Sequence, residues 1–500
     1  MQERYILGID QSTSGTKALL LDGRGDVVCR ADIPHRQIVN DLGWIGHNLM
    51  EIYSNTIEAT KRVICKSGID KQKIAGIGIS NQRETAAVWD RETGAPVCDA
   101  IVWQCARGEP ICKRLADMGH SDRIGDITGL PLSPYFSAAK IAWVLENAVA
   151  VQPCTGVPQP CAGKGVVRLC AGTIDSWLIY KLTGNFGTDY SNASRTQLFD
   201  IHKLEWSREV CALFGIDPAM LPVVLDSDSC FGYTDLEGFL GTPAPVHGVM
   251  GDSHGALFGQ GCHSPGMMKA TYGTGSSVMM YTGDKPASGH NGTVTSIAWS
   301  TGGKVGYVLE GNINYSGAVL KWLSDDLGLI ATPDESSQLA SRANPEDGTY
   351  LVPAFSGLGA PHWDSGARAL MCGMSRTTGK NEIVKAAVES IAYQINDVIQ
   401  AMLERTGAGA TVLLADGGPV GNEYLMQFQS DISGMTVIVP EREELSGIGV
   451  SYMAGIALGV YELEELFRRI QSRRYTPSLG CELRIEKLNG WKSAVQKAIY

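Results

Sequence analysis

Short apolar strands alternating with longer helix-period segments predict an α/β fold with sheets of mixed direction, built as two similar domains. Two observations predict it. The chain has 500 residues, beyond the size at which one hydrophobic core keeps growing, so two domains with a ligand cleft between them are expected. A Gly/Ser/Thr turn between apolar strands is also written twice, at 5–22 and at 267–281, and each copy opens the same succession of strands followed by a helix and a further strand.

The first copy reads Tyr-Ile-Leu-Gly-Ile, then Asp10-Gln11-Ser12-Thr13-Ser14-Gly15-Thr16-Lys17, then Ala-Leu-Leu-Leu. Glycine lets such a turn aim successive backbone N–H groups at one anion, and Ser and Thr add hydroxyl donors. A strand at 27–31, a helix at 49–63 and a strand at 74–79 follow. Pro243, Pro245 and Gly248 suggest a linker, which places an N-terminal domain at 1–248 and a C-terminal one at 249–500. The second turn is Thr271-Tyr272-Gly273-Thr274-Gly275-Ser276-Ser277. After it come a strand at 306–309 and a helix at 316–327. A long helix at 382–404 carries Ile383, Val384, Ala387, Val388, Ile391, Ile395, Val398 and Met402 on one stripe, with Gly407 as its C-cap. A strand at 412–415 and the turn Asp416-Gly417-Gly418 follow. The Pro/Gly-rich 151–165 stretch reads as a surface loop.

Composition, at 44% hydrophobic and 19% charged, is that of a globular protein, and a net charge of -11 argues against nucleic acid or an anionic membrane as partner. Met1-Gln2-Glu3-Arg4 leads straight into a strand without a secretion signal. The glycine-rich apolar stretch 448–460, bounded by Glu443, Glu444 and Glu462, falls short of a ~20-residue membrane span. A cytoplasmic protein is expected. The 13 cysteines are expected to be reduced, and Cys154, Cys161 and Cys170 fit no zinc template. No GxxxxGK[ST] loop and no GxSxG elbow occurs, which sets aside P-loop NTPases and α/β-hydrolases.

Two clusters carry candidate chemistry. Ser80-Asn81-Gln82-Arg83-Glu84-Thr85 lies where a strand ends, the place where open α/β sheets bind ligands. Arg83 donates in a fixed fork and Glu84 accepts, so the pair suits neighbouring hydroxyls of a polyol, although an ordinary ion pair has the same sequence. Asp252, in Gly251-Asp252-Ser253-His254-Gly255, suits the general base of a phosphoryl transfer, or equally a helix N-cap. A single His254 makes a poor metal site.

These segments resemble the FGGY carbohydrate kinases, and within that family the glycerol kinases. The resemblance runs through Asp10-Gln11-Ser12-Thr13, Gly43-Trp44, Ser80 to Thr85, Ile101-Val102-Trp103-Gln104, Tyr135 to Trp143, Thr173-Ile174-Asp175, Thr188 to Thr196, Tyr272-Gly273-Thr274-Gly275, Gly357 to Pro361, Asp416-Gly417-Gly418 and Met426 to Asp431. It implies two ribonuclease H-like domains of the actin/hexokinase type flanking a nucleotide cleft, which close on Mg²⁺ and ATP and an acceptor while excluding water. Phosphate and metal roles fall on Asp10, Thr13, Ser14, Lys17 and Thr274, with Asp252 sharing the metal. Nucleotide contacts fall on Gly317, Lys321, Gly418 and Asn422. Acceptor contacts fall on Arg83, Glu84, Trp103, Tyr135 and Asp252, with Asp252 as base. The implied partner is a small polyol or sugar, and the implied assembly a homodimer or homotetramer. A non-catalytic actin-like nucleotide switch would share the fold but would not need the acceptor set.

Four departures stand out. Glycerol kinases carry Gln where this chain has Ser253 and Phe where it has Ser277. Both changes put a small hydroxyl beside the acceptor, so a larger, more polar pocket and a C4–C5 polyol or ketose are expected, with glycerol itself as the alternative. Lys321 replaces Gln and Lys17 replaces Arg, which keeps or adds positive charge beside the phosphates. The 231–241 segment has no His, so the phosphohistidine control of some bacterial glycerol kinases has no acceptor there.

Overall fold

A computed structural model describes residues 4–147, 169–287, 291–468 and 470–499. The expected 151–165 loop, with Cys154 and Cys161, lies outside the described residues. Cys170 is buried and unbridged.

The chain folds as two α/β units. Unit 1 comprises Met1–Gly261, Thr295–Tyr307 and Glu444–Arg469, and unit 2 comprises Cys262–Val294, Val308–Glu443 and Ile470–Tyr500. A single cut at 248/249 therefore does not reproduce them. The segment expected to be a linker is the strand Ala244–Gly251, deep in the sheet of unit 1. It runs parallel to Ile74–Asn81, with a register irregularity between Val246 and Val249 that accommodates Gly248. Pro243 precedes this strand and Pro245 pairs near its start, against Tyr233 of the short neighbouring strand. Proline there costs little ladder bonding, and the glycine marks a bulge rather than a hinge.

In unit 1 the hairpin Tyr5–Gln11/Gly15–Leu21 pairs antiparallel with Asp10 opposite Lys17, and Val27–Pro34 continues the meander. Ile74–Asn81 then adds in parallel to the first strand, with Asp10 beside Ser80. Every residue of Tyr5–Gln11 is buried, as expected of a central strand covered on both faces. Helix Leu49–Ser67 packs through Leu49, Ile52, Ile57, Val63 and Ile64, is capped by Asn48 Oδ1 accepting from Glu51 N–H, and ends at Gly68 with φ 69°.

Unit 2 repeats the order. Met268–Tyr272 and Ser276–Gly283 form an antiparallel hairpin, Lys304–Ile313 lies beside the second of these strands, and Val412–Gly417 adds in parallel to the first. Helix Lys380–Thr406 buries the expected stripe except Ile383, which is half-buried, and ends at Gly407 with φ 65°. Where one helix was expected at 316–327, an α-turn Gly317–Lys321 passes into a π-turn Trp322–Asp326. No described helix is long and apolar enough to cross a membrane.

Candidate active site

The strand Ile74–Asn81 and the strand Ala244–Gly251 end side by side, with Asn81 paired to Gly251. This register delivers Arg83 and Asp252, 169 positions apart, to one place. Arg83 Nε donates to Asp252 Oδ1 at 3.0 Å and Nη2 donates to Ser253 Oγ at 3.0 Å. The Ser253 amide also donates to Asp252 Oδ1, at 2.6 Å. Arg83 is buried while the Asp252 carboxylate stays 34% exposed, so the guanidinium orients the carboxylate from within and leaves it open to a ligand. Gly251 is required by that approach, since a Cβ there would lie 2.6 Å from Arg83 Cγ. Asp252 opens the helix Asp252–Gly259, but its side chain turns to Arg83 rather than capping the helix, whose N-cap is Gly251.

Glu84 is bound differently from the expected Arg83–Glu84 bracket. It sits at φ 60°, its side chain is 2% exposed, and its Oε1 accepts from Arg195 Nε at 2.5 Å. Left-handed backbone at a non-glycine residue persists only where the surroundings over-determine it. Here Ser137 Oγ holds the Glu84 carbonyl at 3.0 Å. Arg195 is a residue that sequence reading missed; it lies 111 positions from Glu84, and nothing local marks the two as a pair.

Trp103 and Tyr135 meet edge to face, with ring centroids 5.5 Å apart. Trp103 Nε1 donates to Thr13 Oγ1 at 3.0 Å, so the aromatic pair and the first turn share one contact. Lys140, fully buried, donates from Nζ to the carbonyls of Pro134, Tyr135 and Phe136. Burial pushes its ammonium down to about 7. Behind the first turn, His35 Nε2 lies 3.0 Å from the Thr13 carbonyl and its ring is edge-on to His47 at 4.7 Å. Burial pushes His47 down to about 4, so its neutral Nδ1 accepts from Gln82 Nε2 at 3.2 Å.

Lys17, expected as a phosphate cation, is ion-paired with Glu444 Oε2 at 2.5 Å, and Glu444 also holds Arg30 at 2.8 Å. Asp10 lies at the end of its strand, 5% exposed, and its Oδ1 has no hydrogen-bond partner among the described residues. Burial pushes the carboxyl up to about 6, Lys17 opposes that, and the charges of Asp252 and Glu444 add to it. A buried carboxylate oxygen without a donor, sensing a second carboxylate, fits a hard divalent cation that keeps several waters. Among the described residues no group of three or more His, Cys, Asp or Glu could hold a metal ion.

In unit 2 the turn Gly273-Thr274-Gly275 docks on the start of the α-turn, with Ser316 and Ala318 N–H donating to the Thr274 carbonyl and Gly317 N–H to that of Gly273. Thr274, Gly317, Lys321 and Gly418 line one groove of ≈ 990 Å³. Its apolar wall is Tyr315, Trp322 and Phe355, with Phe355 4.9 Å from Trp322 and 5.1 Å from Tyr315. Lys321 is exposed, 3.8 Å from Asp325. The groove thus joins a glycine turn and a cation to an aromatic wall, as a nucleotide requires. The buried hydroxyls of Ser276 and Ser316 beside that turn lack partners among the described residues. Asn422 is not among the groove's lining residues. It is buried, its Oδ1 caps helix Glu423–Ser433 by accepting from Leu425 N–H, and its Nδ2 donates to Ser336 Oγ at 2.9 Å. Ser277 Oγ donates to the buried Glu310 at 3.2 Å.

Two family models match the chain: the N-terminal domain of the FGGY family of carbohydrate kinases at residues 5–259, and the C-terminal domain at 268–458. Glycerol kinase 1 of Thermotoga maritima is 45% identical over 499 residues, covering 99% of both chains. The glycerol kinase of Listeria monocytogenes is 42% identical over 100% of this chain and 99% of its own. Among solved structures, Plasmodium falciparum glycerol kinase with ADP matches at TM-score 0.91 and 32% identity, covering 99% of this chain and 98% of that one. The xylulose kinase of Rhodospirillum rubrum matches at TM-score 0.86 but 18% identity, with 99% of each chain covered, which shows the shared fold. The chain therefore belongs to the FGGY family of carbohydrate kinases, phosphotransferases with an alcohol group as acceptor that use ATP with Mg²⁺.

Proposed function

We propose that this kinase phosphorylates a terminal hydroxyl of a small polyol or ketose, with the Arg83–Asp252–Ser253 constellation holding the acceptor. The observation that carries this reading is the half-open Asp252 carboxylate, fixed by the buried Arg83 guanidinium and the Ser253 amide. Asp252 takes the proton of the acceptor hydroxyl as its oxygen bonds to the γ-phosphorus and the bond to the ADP leaving oxygen breaks. Arg83 and Ser253 hold the neighbouring hydroxyls, with Glu84 placed beside them by Arg195. Trp103 and Tyr135 face the C–H side of the acceptor.

On the donor side, Thr13 and Ser14 of the first turn, and Thr274, Gly317, Lys321 and Gly418 of the groove, bind ATP. Lys17 and Asn422 support these elements through Glu444 and through the helix cap, respectively. Asp10 and Asp252 would hold Mg²⁺, which when bound neutralises charge on the phosphates.

The acceptor we favour is a C4–C5 polyol or ketose, because Ser253 and Ser277 both place short hydroxyls, already turned to Arg83 and Glu310, where the glycerol kinase pattern has Gln and Phe. The second reading, glycerol itself, is favoured by relatives named glycerol kinases at 42–45% identity. ADP release with glycerol, erythritol, erythrulose, ribulose, xylulose and pentitols decides between them. The highest kcat/KM for glycerol overturns the larger acceptor. Asp252→Asn is expected to lower kcat by about 10²–10⁴. Arg83→Gln is expected to raise the acceptor KM roughly ten- to a hundredfold, as loss of charge-assisted hydrogen bonds implies. A full rate in Asp252→Asn would remove Asp252 as base.

A further inference from the structure

Apart from Arg195, the Thr188–Thr196 stretch carries none of the roles above, yet its polar side chains are buried and reach both halves of the acceptor constellation. Asp189, fully buried, caps the short helix Tyr190–Ser194 by accepting from the Ser191 and Asn192 amides. Its carboxylate also accepts from Ser191 Oγ at 3.0 Å, Asn192 Nδ2 at 2.9 Å and Ser227 Oγ at 2.8 Å. The two hydroxyl and amide side chains so oriented each make one further contact. Ser191 Oγ accepts from the amide of Gly251, the residue before Asp252, at 3.0 Å. Asn192 and Asn81 exchange amide hydrogen bonds in both directions at 3.0 Å, two residues before Arg83. Just beyond the helix, Arg195 holds Glu84. Thr196 then accepts from the Ala138 amide at 2.9 Å, three residues after Tyr135.

We propose that Asp189, Ser191, Asn192 and Arg195 form one buried template that sets Asp252 against Arg83 and Glu84, making them positioning residues for the acceptor side of the reaction. The inference rests on the acceptor reading above. The template follows from satisfiability: the Asp189 carboxylate accepts only, so every donor around it has a fixed direction, and Ser191 Oγ is left with its lone pairs for the Gly251 amide. Removing the Ser191 hydroxyl frees that amide and lets the strand end carrying Asp252 shift, and displacement of a reacting group by an ångström costs on the order of a hundredfold in rate. Asn81 and Asn192 do the same for the turn bearing Arg83.

The test is a double-mutant cycle in the full chain, reading acceptor-dependent ADP release at high enzyme concentration. Ser191→Ala is expected to lower kcat at least tenfold in the wild-type background, leave the KM for ATP within twofold, and add less than twofold to the deficit of Asp252→Asn. Asn81→Ala is the parallel variant, should Ser191→Ala fail to fold. It is expected to raise the acceptor KM at least fivefold in wild type and less than twofold in Arg83→Gln. Wild-type kinetics in both Ser191→Ala and Asn81→Ala, or equal losses with and without Asp252 and Arg83, overturn the template. If Asp252→Asn and Arg83→Gln themselves leave acceptor turnover unchanged, it is the acceptor reading that falls.

Discussion

Asp10 shows how one buried side chain ties stability to ligand. Its carboxyl titrates at about 6 in the fold against an ordinary 3.8, through burial above all. Because the folded value is raised, the folded state holds the proton more tightly than the unfolded chain. The associated stability is fully present below 3.8 and is lost as pH rises through 6. That difference corresponds to about 3 kcal/mol. Asp10→Asn is therefore expected to raise the melting temperature of the ligand-free protein at pH 7.5, with the gap to wild type closing toward pH 4. The same substitution is expected to abolish protection by Mg²⁺ with ADP, which in wild type weakens below pH 6 as the carboxyl protonates. Thermal denaturation from pH 4 to 7.5, with and without Mg²⁺ and ADP, checks both; a pH-independent gap rejects the assignment. Asp10 was legible as a candidate through the Asp10-Gln11-Ser12-Thr13 motif that carries the family resemblance. The Lys17 partner was not, since Glu444 lies 427 positions away and nothing local marks either as a pair.

At the scale of an element, the glycine-rich run near residue 448 shows what periodicity leaves open. It is apolar but too short for a membrane span, and the structure makes it the helix Leu445–Ala457, packed on the sheet of unit 1 and on helix Asp252–Gly259. The reason for glycine is contact: a Cβ on Gly449 would lie 1.8 Å from the Gly255 carbonyl oxygen. Gly449→Ala is expected to destabilise the protein by about 3 kcal/mol through overpacking against backbone that cannot yield. Gly409→Ala, which would meet nothing within 4 Å, should stay within about 0.5 kcal/mol. Urea unfolding of the two variants makes the comparison, and equal midpoints would show that the helix gives way. The long helix Lys380–Thr406 was readable because its stripe and cap are local signals. The π-turn Trp322–Asp326 was not, because a helix-period pattern does not distinguish one extra residue per turn.

At the scale of the whole molecule, each unit is assembled from three stretches of chain. A fragment ending at residue 261 lacks Glu444–Arg469, and with it the helix that covers the strands Tyr5–Gln11, Ile74–Asn81 and Ala244–Gly251. That fragment is expected to show no cooperative thermal transition, whereas the full chain does; a sharp transition in the fragment would mean that its core closes without the C-terminal segment. The α/β class, the duplicated hairpin and the kinase family were readable from the residues alone, because strand periodicity, turn chemistry and ordered motifs are local. It took the folded chain to show that Pro245 and Gly248 lie in a strand of the unit 1 sheet rather than a linker, that Arg195 holds Glu84, and that Lys17 pairs with Glu444. These share one physical reason: strand register and charge pairing are settled by residues far apart in sequence, and become determinate only when burial forces polar groups to find partners.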